Sequence, residues 1–554
     1  PPIEVTEPGL ALLNDLIPDN DVFLRQLLKV QMPSPTETSS TVFHVHPLYV
    51  VVAAAVDLKN KGLIGISKEE ISIFIQTTLR DEDIDNAIER IVDYRSHRNR
   101  LTGRVVKRRF YRSTLKDRVS ELYSDLLSNR FQKLDEFLSK DAASAGYMAS
   151  PEAEELIKKI TSTGKGANVK SAASTRRELI GAYKDGQPKR SLQDIIAIHQ
   201  LDLKMRTLID YTDTTVRYSR ITGLFSLTAD KLVLKEDQTA LAEELISKGP
   251  PPVLSDIDFV RTFYDAHQPI LPTDNVAFLK EDIARLRTQT VSLATELAEQ
   301  PPEEILIPTE EDVLQLRGQR NLLEENLMPL KEKKFYLAQR NKSQIQEIKG
   351  IIESLLNNED LILGSDYRPA IAEWVIWRLF LAIDSIPGPI DETRNFQIDT
   401  NLSPVHHAKG GVADMVFFYN DAFIVPVEVT LRIGENQYAA EGEPVQRHIM
   451  HIADKHLDHD VVGVFIAPKI HPTAAHEFFK SELYSERRED VIPLSIVPLT
   501  MGQAMNLMPG ELYGCNNPVE LHLHLNNILT LREECGNGQD WLRRIDKYFS
   551  VSQS

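Results

Sequence analysis

The chain has 554 residues, too many for one hydrophobic core, and its length points to about three units. With 42% hydrophobic and 26% charged residues it has the composition of an ordinary soluble globular protein, and a formal net charge of −18 argues against polyanion binding by the bulk of the surface, which leaves that question to local patches. Two cysteines, Cys515 and Cys535, exclude a disulfide framework and fit a reducing cytoplasm. The longest apolar run, Leu48–Val56, is too short to span a bilayer, so no membrane partner is expected. The chain begins with Pro1 and shows no signal-peptide pattern, which leads us to expect a further segment upstream.

In chain order, DVFLRQLL (Asp21–Leu28) has helical spacing and ends at the prolines of QMPSP. A helix-turn-helix-like pattern follows. It comprises Pro47–Lys61, a second helix opened by Ser67 and Glu70 at capping-box spacing, and a third in DEDIDNAIERIVDYR. The most basic stretch, Arg95–Arg118, carries ten Lys or Arg against one acid, Asp117. One reading is a solvated helix face. The other is phosphate contact through Arg95, Arg98, Arg100, Arg104, Lys107, Arg108, Arg109 and Arg112, assisted by the interleaved Phe110 and Tyr111.

A second basic region, with Lys165, Lys170, Arg176, Arg177, Lys184, Lys189 and Arg190, is rich in Gly and Ser and reads as loop. Beyond it, SLQDIIAIHQ to KLVL reads as two helices and a hairpin with strands Leu224–Leu227 and Leu232–Leu234. That is the element order of a winged helix, with Arg217 and Arg220 as further DNA-contact candidates.

KGPPPVLSD marks a boundary, and the polar helical segments from Asp282 to Leu356 read as a spacer, interrupted by PPEEILIP. After Asn358 short apolar strands alternate with helices: NFQID, ADMVFFY, AFIVPVEVT, VVGVFIAP and VIPLSIVPL. This is the pattern of an α/β domain with a mixed sheet.

Several familiar motifs are incomplete. GKG at 164–166 lacks the rest of a phosphate-binding loop, and HEFFK lacks the second histidine of a zinc-protease helix. The run His448, His451, His456 and His459 has no companion cysteines and reads as a polar helix face.

The acids of GGVADMVFFYNDAFIVPVEVT behave differently. If NDA turns the chain, the hairpin returns Glu428 to the sheet edge where Asp414 starts, with thirteen residues between them. Oxygen ligands without thiols suit Mg²⁺, with Mn²⁺ able to substitute. The alternative is structural, with Asp414 capping a strand and Glu428 paired to an arginine such as Arg432; burial of Glu428 within VPVEVT weighs against it. Glu373, an acid inside the apolar helix AIAEWVIWRLFLAI, adds weight to the metal reading. Glu441 adds more, opening EGEPVQRHIMHIADKHL, whose helix brings Gln446, Arg447 and His448 into reach.

With AEWVIW, NFQIDTNLSPVHHAKGGVADM, VEVT and EGEPVQRH quoted, the C-terminal part resembles the PD-(D/E)xK nuclease fold, and specifically the AlwI-like family of type IIS restriction and nicking endonucleases. DVFLRQLLKVQMPS and TTVRYSRITGLF extend the resemblance over nearly all the chain. It implies a multidomain protein: an α-rich DNA-recognition region with winged-helix-like modules at 1–255, a helical linker at 256–358, and an α/β nuclease domain with a mixed sheet at 359–554. Catalytic acids would be Glu373, Asp414, Glu428 and Glu441, with His448 and Arg447 in support. Metal ligands would be the same four acids and the Val429 carbonyl.

The implied activity is Mg²⁺-dependent hydrolysis of double-stranded DNA at a fixed distance from a short asymmetric site. A homodimer or second nuclease subunit is expected for double-strand cleavage. Two departures from the motif stand out: Ala413 in place of its proline and Thr430 in place of its lysine. The competing reading is a non-catalytic winged-helix DNA-binding protein with structural acids.

Overall fold

The computed structural model describes residues 9–10, 13, 18–34, 44–143, 146–162, 169–228, 231–301, 312–357, 368–383, 386, 388–419, 423–485 and 487–550. The GKG at 164–166, Lys165, the turn residues 229–230, most of PPEEILIP and the NDA turn at 420–422 lie outside them. The chain divides into two compact units. One comprises Asn20–Gly223 and Leu245–Pro269, and the other comprises Pro1–Asp19, Leu224–Glu244 and Ile270–Ser554.

The first unit is helical. Just past helix α1 (Asp19–Leu28), Lys29 Nζ donates to the carbonyls of Phe263 and Asp265 at 3.3 and 2.5 Å, at the C-terminal end of helix Asp256–Tyr264. Helix α2 (Pro47–Asn60) is apolar on every side and lies buried, as a helix without a polar face must. The expected capping box forms: Ser67 Oγ accepts from Glu70 N at 3.3 Å and Glu70 Oε2 accepts from Ser67 N at 2.8 Å. The helix it opens continues as a π-turn, Ile71–Ile75.

Helices α3 (Ile84–Arg100), α4 (Arg104–Leu122), α5 (Ser124–Ala143) and α6 (Pro151–Thr161) follow. Two expectations fail next. The basic region read as loop forms α7 (Val169–Lys184), and the two helices expected before the hairpin are one, α8 (Lys189–Ile221). No Gly or Pro interrupts that 33-residue stretch, so nothing in its backbone chemistry stops the helix. The two helices expected between Ser191 and the hairpin are therefore replaced by one long helix.

In the second unit, β1 (Phe225–Thr228) pairs antiparallel with β2 (Lys231–Leu234). Helices α9 (Val276–Glu296) and α10 (Val313–Ala338) share a core of Leu279, Ile283, Leu286, Leu316, Leu323 and Leu327. Asp282 joins them, accepting from Arg285 on its own helix and from Arg320 across it at 2.8 Å. Next, α11 (Lys342–Leu356) buries Ile345, Ile348 and Ile352 in the largest core of the protein, so the described part of the expected spacer is packed.

That core surrounds a mixed sheet. Its strands β3 (Met415–Tyr419), β4 (Phe423–Val429), β5 (Gly463–Ala467) and β6 (Ile496–Thr500) lie in the order β6-β5-β4-β3. β3 and β4 are antiparallel, with Met415 opposite Val427, whereas β5 runs parallel to both β4 and β6. β4 is almost wholly buried, which is why it reads as a continuous apolar run rather than an alternating one. Helix α12 (Arg368–Leu381) adds Trp377 and Phe380 to the core. Helix α13 (Glu435–Lys455) adds Val445 and Ile449. The C-terminal pair α15 (Pro518–Glu533) and α16 (Gly538–Ser550), with α14 (Pro472–Phe479), closes it through Leu525, Trp541, Ile545 and Phe478.

Candidate active site

The register that sets Met415 opposite Val427 carries the residues just outside it, Asp414 and Glu428, to the same end of the hairpin. Asp414 Oδ2 accepts from the amide of Val429 at 2.8 Å, so the acid before β3 is fastened to the residue after Glu428. Glu373 reaches the same region from α12: its Oε2 accepts from the Ala408 amide at 2.6 Å, while the neighbouring Trp374 donates from Nε1 to the Leu402 carbonyl at 2.8 Å. An acid inside so apolar a helix is thus aimed out of it. Glu441 stands on the second turn of α13, and its Oε1 accepts from Thr430 Oγ1 at 2.8 Å.

Three of these acids, Glu373, Asp414 and Glu428, have raised proton affinities. Burial first, then the charge of Asp414, pushes Glu373 up to about 9 despite the Ala408 amide. Burial, then Glu441 and Glu373, pushes Glu428 up to about 9. Asp414 is raised well above the ordinary aspartate value by burial and by Glu428, against the opposing Val429 amide. Among the described residues the only cationic partners of the four are His448, whose Nδ1 lies 2.7 Å from Glu428 Oε1, and Arg432, whose Nε lies 3.5 Å from Glu441 Oε1.

Burial also lowers the pKa of His448, with Arg447 adding to the effect. His448 Nδ1 and Glu428 Oε1 are within hydrogen-bond distance, so the ring and the carboxyl hold each other in place through one shared proton. His448 Nε2 is buried with no hydrogen-bond partner.

The donor set suits a hard divalent cation: carboxylate oxygens without thiolates, buried and repelling one another for want of positive charge. Each of Glu373, Asp414, Glu428 and Glu441 spends one oxygen on a protein hydrogen bond or His448. Among the described residues no group of three or more His, Cys, Asp or Glu side chains is drawn tightly enough together to form a ready coordination shell, so holding an ion requires their second oxygens to close in.

Of the three α13 residues expected near the acids, only His448 arrives. Arg447 pairs with Glu443 one turn back at 3.0 Å and is exposed, and Gln446 accepts from Ser481 Oγ at 2.8 Å. Two residues take places the sequence reading did not give them: Thr430, noted only as a departure from the motif, holds Glu441, and Arg432, offered as a partner for Glu428, lies beside Glu441 instead.

The basic stretch splits by face. Arg95 donates to Glu70 at 2.7 and 2.8 Å, and Arg98 donates to Glu69 at 2.5 Å, so both are committed to buried acids of their own unit. Phe110 stacks on Tyr94 with ring centres 5.2 Å apart, and Tyr111 meets Ser72 Oγ at 3.1 Å. These aromatics, expected to face phosphates, face inward. Arg100, Arg108, Arg109, Arg112 and Arg217 are exposed, Lys107 and Arg220 half-buried, and the Arg104 side chain lies outside the described ones.

The family model described as AlwI restriction endonuclease matches residues 1–507. Among solved structures, the small subunit (R.BspD6I2) of the heterodimeric restriction endonuclease R.BspD6I matches at 25% identity, over 36% of this chain and 98% of that one, with a TM-score of 0.29. No curated protein matches.

Proposed function

The chain belongs to the AlwI restriction endonuclease family, and from that premise we propose that it is a type IIS DNA endonuclease or nicking endonuclease. Its Glu373, Asp414, Glu428 and Glu441 would form a PD-(D/E)xK-type hydrolytic site for Mg²⁺, with Mn²⁺ able to substitute. The observation that carries this reading is the hairpin register that brings Asp414 and Glu428 to one end of β3–β4, with Asp414 fastened to the Val429 amide and Glu428 buried beside His448.

In this reading Asp414 and Glu428 are the central ligands, the Val429 carbonyl adds an oxygen, and Glu373 and Glu441 approach from α12 and α13. A bound divalent ion supplies an acidified water and positive charge opposite the leaving oxygen. The chain's own groups do the rest: Val429 N and His448 Nδ1 orient Asp414 and Glu428.

The exposed arginines of α4 and its surroundings, with Lys107, Arg217 and Arg220, bind the backbone of double-stranded DNA. Residues 1–255 serve recognition, 256–358 link, and 359–554 cut outside the recognised sequence. One such site hydrolyses one strand, so a double-strand break needs a second site from a homodimer or partner subunit. A cytoplasmic location of bacterial type goes with this reading; among the described residues no helix is long and apolar enough to cross a membrane.

The test is Mg²⁺-dependent nicking of supercoiled plasmid, with run-off sequencing of both strands. Loss of nicking in Asp414→Ala and Glu428→Ala with DNA binding retained supports the reading. Cleavage that persists in both variants overturns it and leaves the acids a structural role.

A further inference from the structure

We propose that Arg432 is the side chain that contacts the phosphate being cut, supplying the positive charge that Thr430 does not. The inference rests on the hydrolytic reading of the acid cluster. β4 ends at Val429, and Thr430 and Arg432 follow it two and four residues after Glu428, joined to each other by the Arg432 amide, which donates to Thr430 Oγ1.

The backbone of Arg432 is fixed from both directions. Its amide donates to Thr430 Oγ1 at 3.2 Å, and its carbonyl accepts from Gln437 Nε2 at 2.8 Å. Gln437 is itself fully buried, donating also to the Lys469 carbonyl and accepting from the His471 amide. The Arg432 side chain is the opposite: 62% exposed, with Nε 3.5 Å from Glu441 Oε1, beyond direct hydrogen-bond length at a rim where such a pair contributes little stability.

An exposed guanidinium on an anchored backbone is poorly suited to holding the fold and well suited to meeting a ligand. The ligand's chemistry follows from the surroundings. Four carboxylates repel a polyanion, and among the described residues no lysine and no other arginine pairs with them. The planar fork of an arginine matches two phosphate oxygens at once, which a single ammonium cannot do. Arg432 therefore waits on Glu441 and transfers to the phosphodiester when DNA arrives.

The test compares Arg432→Ala and Arg432→Lys with the unaltered chain on a duplex spanning the cut position mapped by run-off sequencing. Binding is measured in EDTA at several salt concentrations, nicking under single turnover with Mg²⁺. Expected for Arg432→Ala are an unchanged melting temperature and a slope of log affinity against log salt shallower by about 0.9, the loss of one phosphate contact. Its nicking should fall about 100-fold or more, with partial recovery in Arg432→Lys.

An unchanged salt slope together with unchanged nicking in Arg432→Ala overturns the inference. Asp414→Ala and Glu428→Ala run beside it: if those are inactive while Arg432→Ala cuts normally, only the role of Arg432 fails. If those two still cut, the hydrolytic site itself is misassigned.

Discussion

Thr430 Oγ1 donates to Glu441 Oε1 at 2.8 Å, so the residue two places after Glu428 orients an acid instead of supplying a charge. Thr430→Val keeps the shape of this buried side chain and removes a bond to a charged group, which is worth roughly 1.5–3 kcal/mol. Nicking should slow about 10-fold or more and need more Mg²⁺, because Glu441 is no longer oriented. Thr430→Ser should restore both, and a magnesium titration of the nicking rate compares them.

The acid cluster makes metal-free stability depend on pH. Glu373 and Glu428 have folded pKa values of about 9 against an ordinary 4.5, so between those limits the folded state binds more protons than the unfolded one. Their contribution is complete below about 4.5 and is lost as pH rises through about 9. In EDTA the melting temperature should fall from pH 6 to pH 9. Mg²⁺ binding at pH 7 should release protons, on the order of two per site, measurable by calorimetry in buffers of different ionisation enthalpy.

Neutral isosteres separate ligands from structural acids. Glu428→Gln and Asp414→Asn remove the mutual repulsion, so each should raise the melting temperature in EDTA by roughly 2 °C or more while abolishing nicking. A drop in melting temperature would identify acids that hold the fold. Differential scanning fluorimetry with and without Mg²⁺ reads both arms.

The arginines of the basic stretch divide into two classes with opposite phenotypes. Arg95→Ala strands the buried Glu70 and should cost about 3 kcal/mol in denaturant unfolding. Arg108→Ala, Arg109→Ala and Arg112→Ala should leave stability within about 0.5 kcal/mol. Each should make the salt dependence of DNA binding shallower by about 0.9.

A Cβ at Gly538 would sit 2.3 Å from the His476 amide nitrogen and 2.4 Å from its Cα, where α16 meets α14. Backbone cannot rotate away as a side chain can. Gly538→Ala should therefore destabilise the second unit by about 3 kcal/mol, read from its unfolding midpoint.

Much of this was legible in the sequence where a pattern has one geometric meaning. The hairpin register that joins Asp414 to Glu428 follows from strand period and turn length, and the Ser67–Glu70 capping box from its spacing. The basic stretch was not legible in the same way. Its charges do not say which face they occupy, and Glu70, read only as a capping residue, also neutralises Arg95. Arg447 and His448 are adjacent, yet only one faces the acids, because helix phase at that point depends on how α13 packs against the sheet. Thr430 was visible as an anomaly, but its partner Glu441 lies on another element and no local pattern links them.

Helix α8 has its early turns, with Leu192 and Ile196, in a core shared with Phe137, Ile157 and Leu179. Its later turns carry Asp213, which pairs with Lys68, and Thr215, which accepts from Gln76. At 1.5 Å per residue it runs about 50 Å without a break in its hydrogen-bond ladder. Two clusters of helices are thereby joined by one continuous helix, so neither can shift along its axis without the other.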